Sequence, residues 1–330
     1  MTEPIRSIVL GVAALSGDDP DTTGHQDPAF ESAVALSRAL GATLHAVHAF
    51  ELPAPALAGV TLPPPATRLR DSWRGEIGRR LREQADRFPG ADISCHVVEG
   101  SPAIALCDVA ARLDAGLVVV GATRRGHFWR GILGSTAEGV IRAAAVPVLV
   151  LHQPLALPLR RILLTTDLSD ESVALLRRGI DTVCALEGSA TEMEMLVVVA
   201  FDAMVPPPYP ETELVTRAGE AVRLIANRFG GKFETRVRTG EPTVEIVREA
   251  EEWKADLVVL GTHGRSGFRP LWLGSTATAA ARGLGCNVLV IPGVPVDAGE
   301  APRAASDPAH AVWRTLRAVD VFAGASTEAE

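Results

Sequence analysis

The chain repeats itself. The segment GSTA occurs at Gly134–Ala137 and again at Gly274–Ala277, an offset of 140 residues. At the same offset VVVGATR (118–124) lies over VVLGTHG (258–264), EGSPA (99–103) over TGEPT (239–243), and VPVLVL (146–151) over CNVLVI (286–291). Upstream the offset is 141 at the Arg-Phe pairs 87–88 and 228–229, then 151 where HAFE (48–51) lies over VAFD (199–202). At SIVLGVA (7–13) over RILLTTD (161–167) it is about 154. The blocks keep their order, and the offset shifts only where loops are expected, which is how a duplicated domain drifts. A length of 330 residues also suits about two domains. The expectation is therefore two tandem domains, 1–154 and 155–297, and a tail, 298–330. Within the tail, Pro308 followed by Val312, Leu316 and Val319 suggests one short amphipathic helix.

Each half alternates strand with helix. In the second half Ile162–Thr166 reads as a first strand, and Asp167, Ser169 or Asp170 can cap a helix through Ala174–Ala185. Met195–Phe201 is an unbroken apolar run, the pattern of a parallel strand covered on both faces. A Pro-rich loop at 205–210, like the one at 53–65, leads to a helix through Leu214–Phe229. Further strands are predicted at Phe233–Arg238, Leu257–Leu260 and Asn287–Ile291, with helices from Pro242 to about Trp253 and from Ser275 to Gly283. The order predicts an α/β fold of two tandem open, mostly parallel five-stranded sheets with helices on both faces, Rossmann-like in connection. Residues 155–159 read as the linker.

Composition narrows the partners. Thirty-two basic residues against 40 acidic give a net charge of −8, which argues against nucleic acid or an anionic membrane as partner. Lys232 and Lys254 are the only lysines, so no phosphate-gripping lysine is available. No apolar run reaches about 18 residues, and the amino terminus turns polar at Ser16, so the expectation is a cytoplasmic chain without a membrane span. Cys95, Cys107, Cys184 and Cys286 show no metal-ligand spacing and read as small buried apolar residues in a reducing compartment.

In open parallel sheets a ligand binds beyond the carboxyl ends of the strands. In the second half those ends are Asp167, Val199–Phe201 and the stretch Gly261-Thr262-His263-Gly264, which leads through Arg265 to Gly274-Ser275-Thr276. Glycines allow positive φ and close main-chain approach, while Ser275 and Thr276 open a helix whose free amides suit an anion. An acid on a neighbouring strand end suits ribose hydroxyls. The spacing by itself leaves two readings, a phosphate loop or a tight turn with a capping serine.

The pattern Gly-x2-Gly-x9-Gly-(Ser/Thr) in GTHGRSGFRPLWLGST, with ILLTTDLSDES and CNVLVIP, resembles the ATP-binding signature of the universal stress protein family. The resemblance covers roughly residues 5–152 and 158–292 and implies an adenine-nucleotide-binding α/β fold of the adenine nucleotide alpha hydrolase type. It implies that Asp167, beside Thr165 and Thr166, meets the ribose and that the Val199–Ala200 edge meets adenine. Gly261, Thr262, His263, Gly264, Arg265, Gly274, Ser275 and Thr276 would surround the phosphates of ATP, with or without Mg²⁺. It further implies association through the last strands, Val146–Leu151 and Val288–Ile291, within the chain or in a homodimer. The first half departs from the pattern. Gly121, Gly134, Ser135 and Thr136 are kept, but Arg124 stands for Gly264, Ala13 for Asp167 and Gly116 for Asp256. One nucleotide per chain is expected, in the second half, as a regulatory ligand. Arg124 and Arg125 gripping phosphate by side-chain forks is the other reading of the first half. His127 and His263 have no nucleophile or orienting acid assigned beside them, so catalysis is not expected. A slow ATPase and a scaffold without nucleotide are the competing functions. Trp129, Phe268 and Trp272 read as packing or as a partner-facing patch.

Overall fold

The computed structural model describes residues 4–13, 28–51, 64–122, 133–186, 191–200, 210–230, 232–262 and 275–293. The predicted tail helix and most of both Pro-rich loops lie outside them. Two compact units divide between Leu157 and Pro158.

The first unit runs β1 (Ser7–Gly11), α1 (Pro28–Leu40), β2 (Thr43–Phe50), α2 (Pro64–Ala85), β3 (Ile93–Glu99), α3 (Pro102–Arg112), β4 (Leu117–Gly121), α4 (Ser135–Ala143) and β5 (Val148–Leu151). Its strands lie in the order β3-β2-β1-β4-β5, all parallel. The second unit runs β6 (Arg161–Thr166), α5 (Asp170–Leu186), β7 (Glu192–Val199), α6 (Glu211–Arg228), β8 (Phe233–Thr239), α7 (Pro242–Glu252), β9 (Leu257–Gly261), α8 (Ser275–Gly283) and β10 (Asn287–Ile291). Its order is β8-β7-β6-β9-β10, again parallel. In each unit the chain first winds outward in one direction, then crosses back, so the reversal falls between β1 and β4 and between β6 and β9. That is the place where such folds open a ligand crevice.

The strands form where the sequence is continuously apolar because helices shield them from water. Ile8, Val9 and Leu10 of β1 and Ile162, Leu163 and Leu164 of β6 are each fully buried. Burying a side chain of that size stabilises by roughly 1.5–3 kcal/mol. The outer strand β8 instead alternates half-buried and exposed residues, as FETRVRT predicts. Amphipathic α6 buries Leu214, Ala218, Ala221, Val222 and Ile225 on one face. Helices α3 and α4, and likewise α7 and α8, pack closely through glycines. A Cβ on Gly139 would sit 2.6 Å from that of Ala103, and one on Gly283 3.0 Å from Val247 Cγ2.

The structure corrects three expectations. The register places Leu44 beside Ile8 and Met193 beside Ile162, so the second strands are offset by 149, not 151. The HAFE/VAFD match is two residues out because two apolar strand ends look alike at a shift that preserves which face each side chain takes. Second, β7 begins at Glu192, upstream of the apolar run, and carries Glu194 fully buried inside the sheet. Third, only Cys286 is buried; Cys95 and Cys107 are half-buried and Cys184 is exposed.

Candidate functional site

The second unit's candidate site starts where β6 ends. Thr166 is the last strand residue, and the chain then turns sharply through Leu168, whose φ of +67° is the left-handed region. Hydrogen bonds hold that strained step in place. Thr166 Oγ1 accepts from the Leu168 amide at 3.0 Å and lies 3.1 Å from Ser172 Oγ. Asp167 Oδ1 accepts from the Ser169 amide at 3.0 Å and from Ser169 Oγ at 2.6 Å. Ser169 also caps α5: its Oγ accepts from the Ser172 amide at 3.1 Å and its carbonyl from the Val173 amide at 2.9 Å. Of the three candidate caps, Ser169 is the one used. The half-buried Asp167 carboxylate is thus aimed by a serine that is itself fixed as a helix cap.

The neighbouring strand tips are equally determined. Thr165 Oγ1 donates to the Val259 carbonyl at 3.0 Å, stitching β6 to β9. Val199 is buried, and its carbonyl accepts from the Gly240 amide at 3.1 Å. Gly240 has a φ of +139°, which only glycine adopts readily. Ala200, half-buried, is the next residue along that edge. Gly261 ends β9, and buried Thr262 ties it to the chain leaving β10: its amide donates to the Ile291 carbonyl at 3.0 Å, and its Oγ1 accepts from the Gly293 amide at 2.8 Å. Thr165, Thr166 and Thr262 therefore commit their hydroxyls to bonds within the fold. Helix α8 begins at Ser275, followed by half-buried Thr276. Its first amides have no partner within the helix and carry its partial positive charge. His263, Gly264, Arg265 and Gly274 lie outside the described residues, as do Phe268 and Trp272.

The first unit lacks the acidic half of this arrangement. Ala13 is exposed at the position of Asp167. Val12 does not turn away but donates to the Val47 carbonyl at 2.9 Å, and its own carbonyl lies 2.9 Å from His48 Nδ1. At Gly11, opposite Thr165 in the repeat, an added Cβ would stand 2.8 Å from Leu106 Cδ1, so a side chain there would require Leu106 to move aside. The helix start is retained: Gly134 precedes α4, with its amide 2.7 Å from the Ala122 carbonyl. Its φ is −66°, so glycine is needed there not for left-handed backbone but because a Cβ would lie 3.1 Å from the Ala122 oxygen. Gly121 ends β4, and Ser135 and Thr136 open α4. Arg124, Arg125, His127 and Trp129 lie outside the described residues.

The exchange of Asp256 for Gly116 has a different meaning from the one its sequence position suggested. Asp256 sits at the amino ends of the strands, where its Oδ2 accepts from the Arg160 and Arg161 amides at 2.8 and 3.0 Å. Gly116 fills the same corner beside Ile5, whose Cγ2 would be 3.2 Å from a Cβ there. This difference is structural and lies at the end of the sheet opposite the crevice. Ser172 was not singled out by sequence reasoning; the Ser-x-x-Ser spacing from Ser169 was the signal for it. Among the described residues no group of three His, Cys, Asp or Glu side chains can hold a metal ion, and no helix is long and apolar enough to cross a membrane.

The universal stress protein family model matches residues 17–152 and 158–292. A universal stress protein of Mycolicibacterium smegmatis is 29% identical over 216 residues, 61% of this chain and 69% of its own length. Universal stress protein MJ0531 of Methanocaldococcus jannaschii is 30% identical over 140 residues, 40% of this chain and 81% of its own. Among solved structures, a universal stress protein of Archaeoglobus fulgidus aligns with a TM-score of 0.55 at 17% identity, covering 87% of this chain and 96% of that one. With two family matches that together span most of its length, the chain belongs to the universal stress protein family.

Proposed function

We propose that this protein binds ATP or a related adenine nucleotide in its second unit and acts as a nucleotide-dependent regulator in the stress response. The observation that carries the reading is the aimed carboxylate: Asp167 is fixed by two hydrogen bonds from Ser169 at the strand tip across the switch point from the α8 amino terminus. A ribose would bring two hydroxyl donors to such a carboxylate, and the amides that open α8 at Ser275 and Thr276 suit phosphate oxygens. Adenine would lie along the Val199–Ala200 edge, and any Mg²⁺ would arrive with the phosphates. His263, Gly264, Arg265 and Gly274 complete the proposed phosphate loop.

The role is binding, not turnover, and the first unit stays empty because Ala13 offers no acceptor for a ribose. Calorimetric titration of ATP into the intact protein tests it. One site per chain is expected, and Asp167→Ala should weaken it at least about tenfold, the loss of one charge-assisted hydrogen-bond pair. Unchanged affinity in that variant would refute the assignment.

A further inference from the structure

Away from the crevice, the two units place ionisable pairs at one and the same point of the fold. Glu194 on β7 lies beside Leu163 of β6 and Glu234 of β8; His45 on β2 lies beside Val9 of β1 and Ser94 of β3. These are equivalent positions in the repeat. Each contacts the residue two further along the outer strand: Glu194 Oε2 is 3.5 Å from Arg236 Nη2, and His45 Nδ1 is 3.1 Å from His96 Nε2.

In the second unit the pair is roofed by α7. Glu194 is fully buried, and its Oε1 has no hydrogen-bond partner. Buried Glu249 of α7 faces it, lying 3.7 Å from Arg236 and bonded to Arg238. Arg238 also meets Glu245 at 3.4 Å and bonds Glu252, and Arg248 meets Glu245 at 2.7 Å. Glu194, Glu245, Glu249 and Glu252 thus face three guanidiniums, with Glu234 adding to the acidic side. Among the described residues the carboxylates there outnumber the guanidiniums, and a proton on the fully buried Glu194 reduces the excess. In the first unit the roof is α3, with Arg112 acting on His96 and Asp92 on His45. There the two ring nitrogens lie 3.1 Å apart near Arg112, and an added proton would put a second cation beside that guanidinium.

We infer that the slot enclosed by the second and third strands and the third helix is a pH-sensitive site in each unit, made of carboxylates that keep a proton in one and of imidazoles that resist a second proton in the other, so that the units respond to pH in opposite directions. Burial and the neighbouring Glu249 push the Glu194 carboxyl up to about 7. Burial holds both imidazoles below their ordinary value. A carboxyl that keeps its proton longer when folded stabilises the fold at low pH, and that stability is lost as pH rises toward 7. Histidines that resist protonation when folded make their unit weaker as pH falls below 6.5. Because α7 packs against α8 at Gly283, loosening it also reaches the helix that opens the crevice.

Hydrogen-exchange mass spectrometry of the intact chain at pH 5.5 and 7.5, corrected for intrinsic rates, tests this. Protection of β7 and α7 should fall about tenfold or more on going to pH 7.5, while that of β2 and α3 rises. Glu194→Gln should flatten the first trend and leave the second, and His96→Gln should do the reverse. If Glu194→Gln does not fold, Glu249→Gln should give the same flattening. Parallel trends in both units, or a slope that survives both carboxyl variants, overturns the proposal. So does an NMR titration of the wild-type histidines that places His45 and His96 at or above 6.5.

Discussion

Ser169→Ala probes the link between local structure and the candidate site. Ser169 is 1% exposed and holds two roles through one oxygen: it caps α5 by accepting from the Ser172 amide and aims Asp167 by donating to Oδ1 at 2.6 Å. Losing an N-cap costs about 1 kcal/mol. Losing a hydrogen bond to a carboxylate costs roughly 1.5–3 kcal/mol where the partner is shielded, and less for half-buried Asp167. The variant should therefore be about 2 kcal/mol less stable, all of it in the second unit. Amide exchange in the first two turns of α5 reads this directly, since local opening reports local stability. Asp167 keeps the bond from the Ser169 amide, so the carboxylate stays near the crevice but loses its fixed rotamer. ATP affinity should fall by about threefold to tenfold, less than in Asp167→Ala. A stability change below about 0.5 kcal/mol, with affinity unaltered, would refute the claim that this serine organises the site.

Two further outcomes follow from the same geometry. Asp256→Ala should cost about 1–3 kcal/mol, because two strand-start amides at 2.8 and 3.0 Å lose their acceptor, yet leave ATP affinity within about twofold; urea unfolding and calorimetry on one preparation check both. Thiol labelling at pH 8 should modify exposed Cys184 first and spare Cys107 and Cys286, whose thiols burial pushes up to about 11 and about 12; peptide mapping after brief iodoacetamide exposure reads the order.

Much of this fold is legible in the sequence because hydrophobic runs and glycines mark parallel strands and their turns. Ser275–Gly283 and Asn287–Ile291 come out as read, since a glycine or a sharp change of polarity bounds each. What stays hidden depends on long-range packing. Glu194 looks like a solvent residue ahead of an apolar run, and only the seating of α7 over β7 and β8 buries it. The exchange of Asp256 for Gly116 read as a departure from the nucleotide pattern; the directions of β9 and β4 put the two residues at the amino ends of their strands, away from the candidate site. The second-strand offset was misjudged because a two-residue slip keeps every side chain on its proper face. At the candidate site, the place of Asp167 just after a strand was readable, whereas the commitment of Thr165, Thr166 and Thr262 to internal bonds was not.

If the second unit alone holds an adenylate, native mass spectrometry of the freshly purified intact protein, alone and with excess ATP, shows a single added nucleotide mass per chain, lost in Asp167→Ala and unaffected by Ala13→Ser. Two nucleotides per chain, or one that persists in Asp167→Ala, would contradict it.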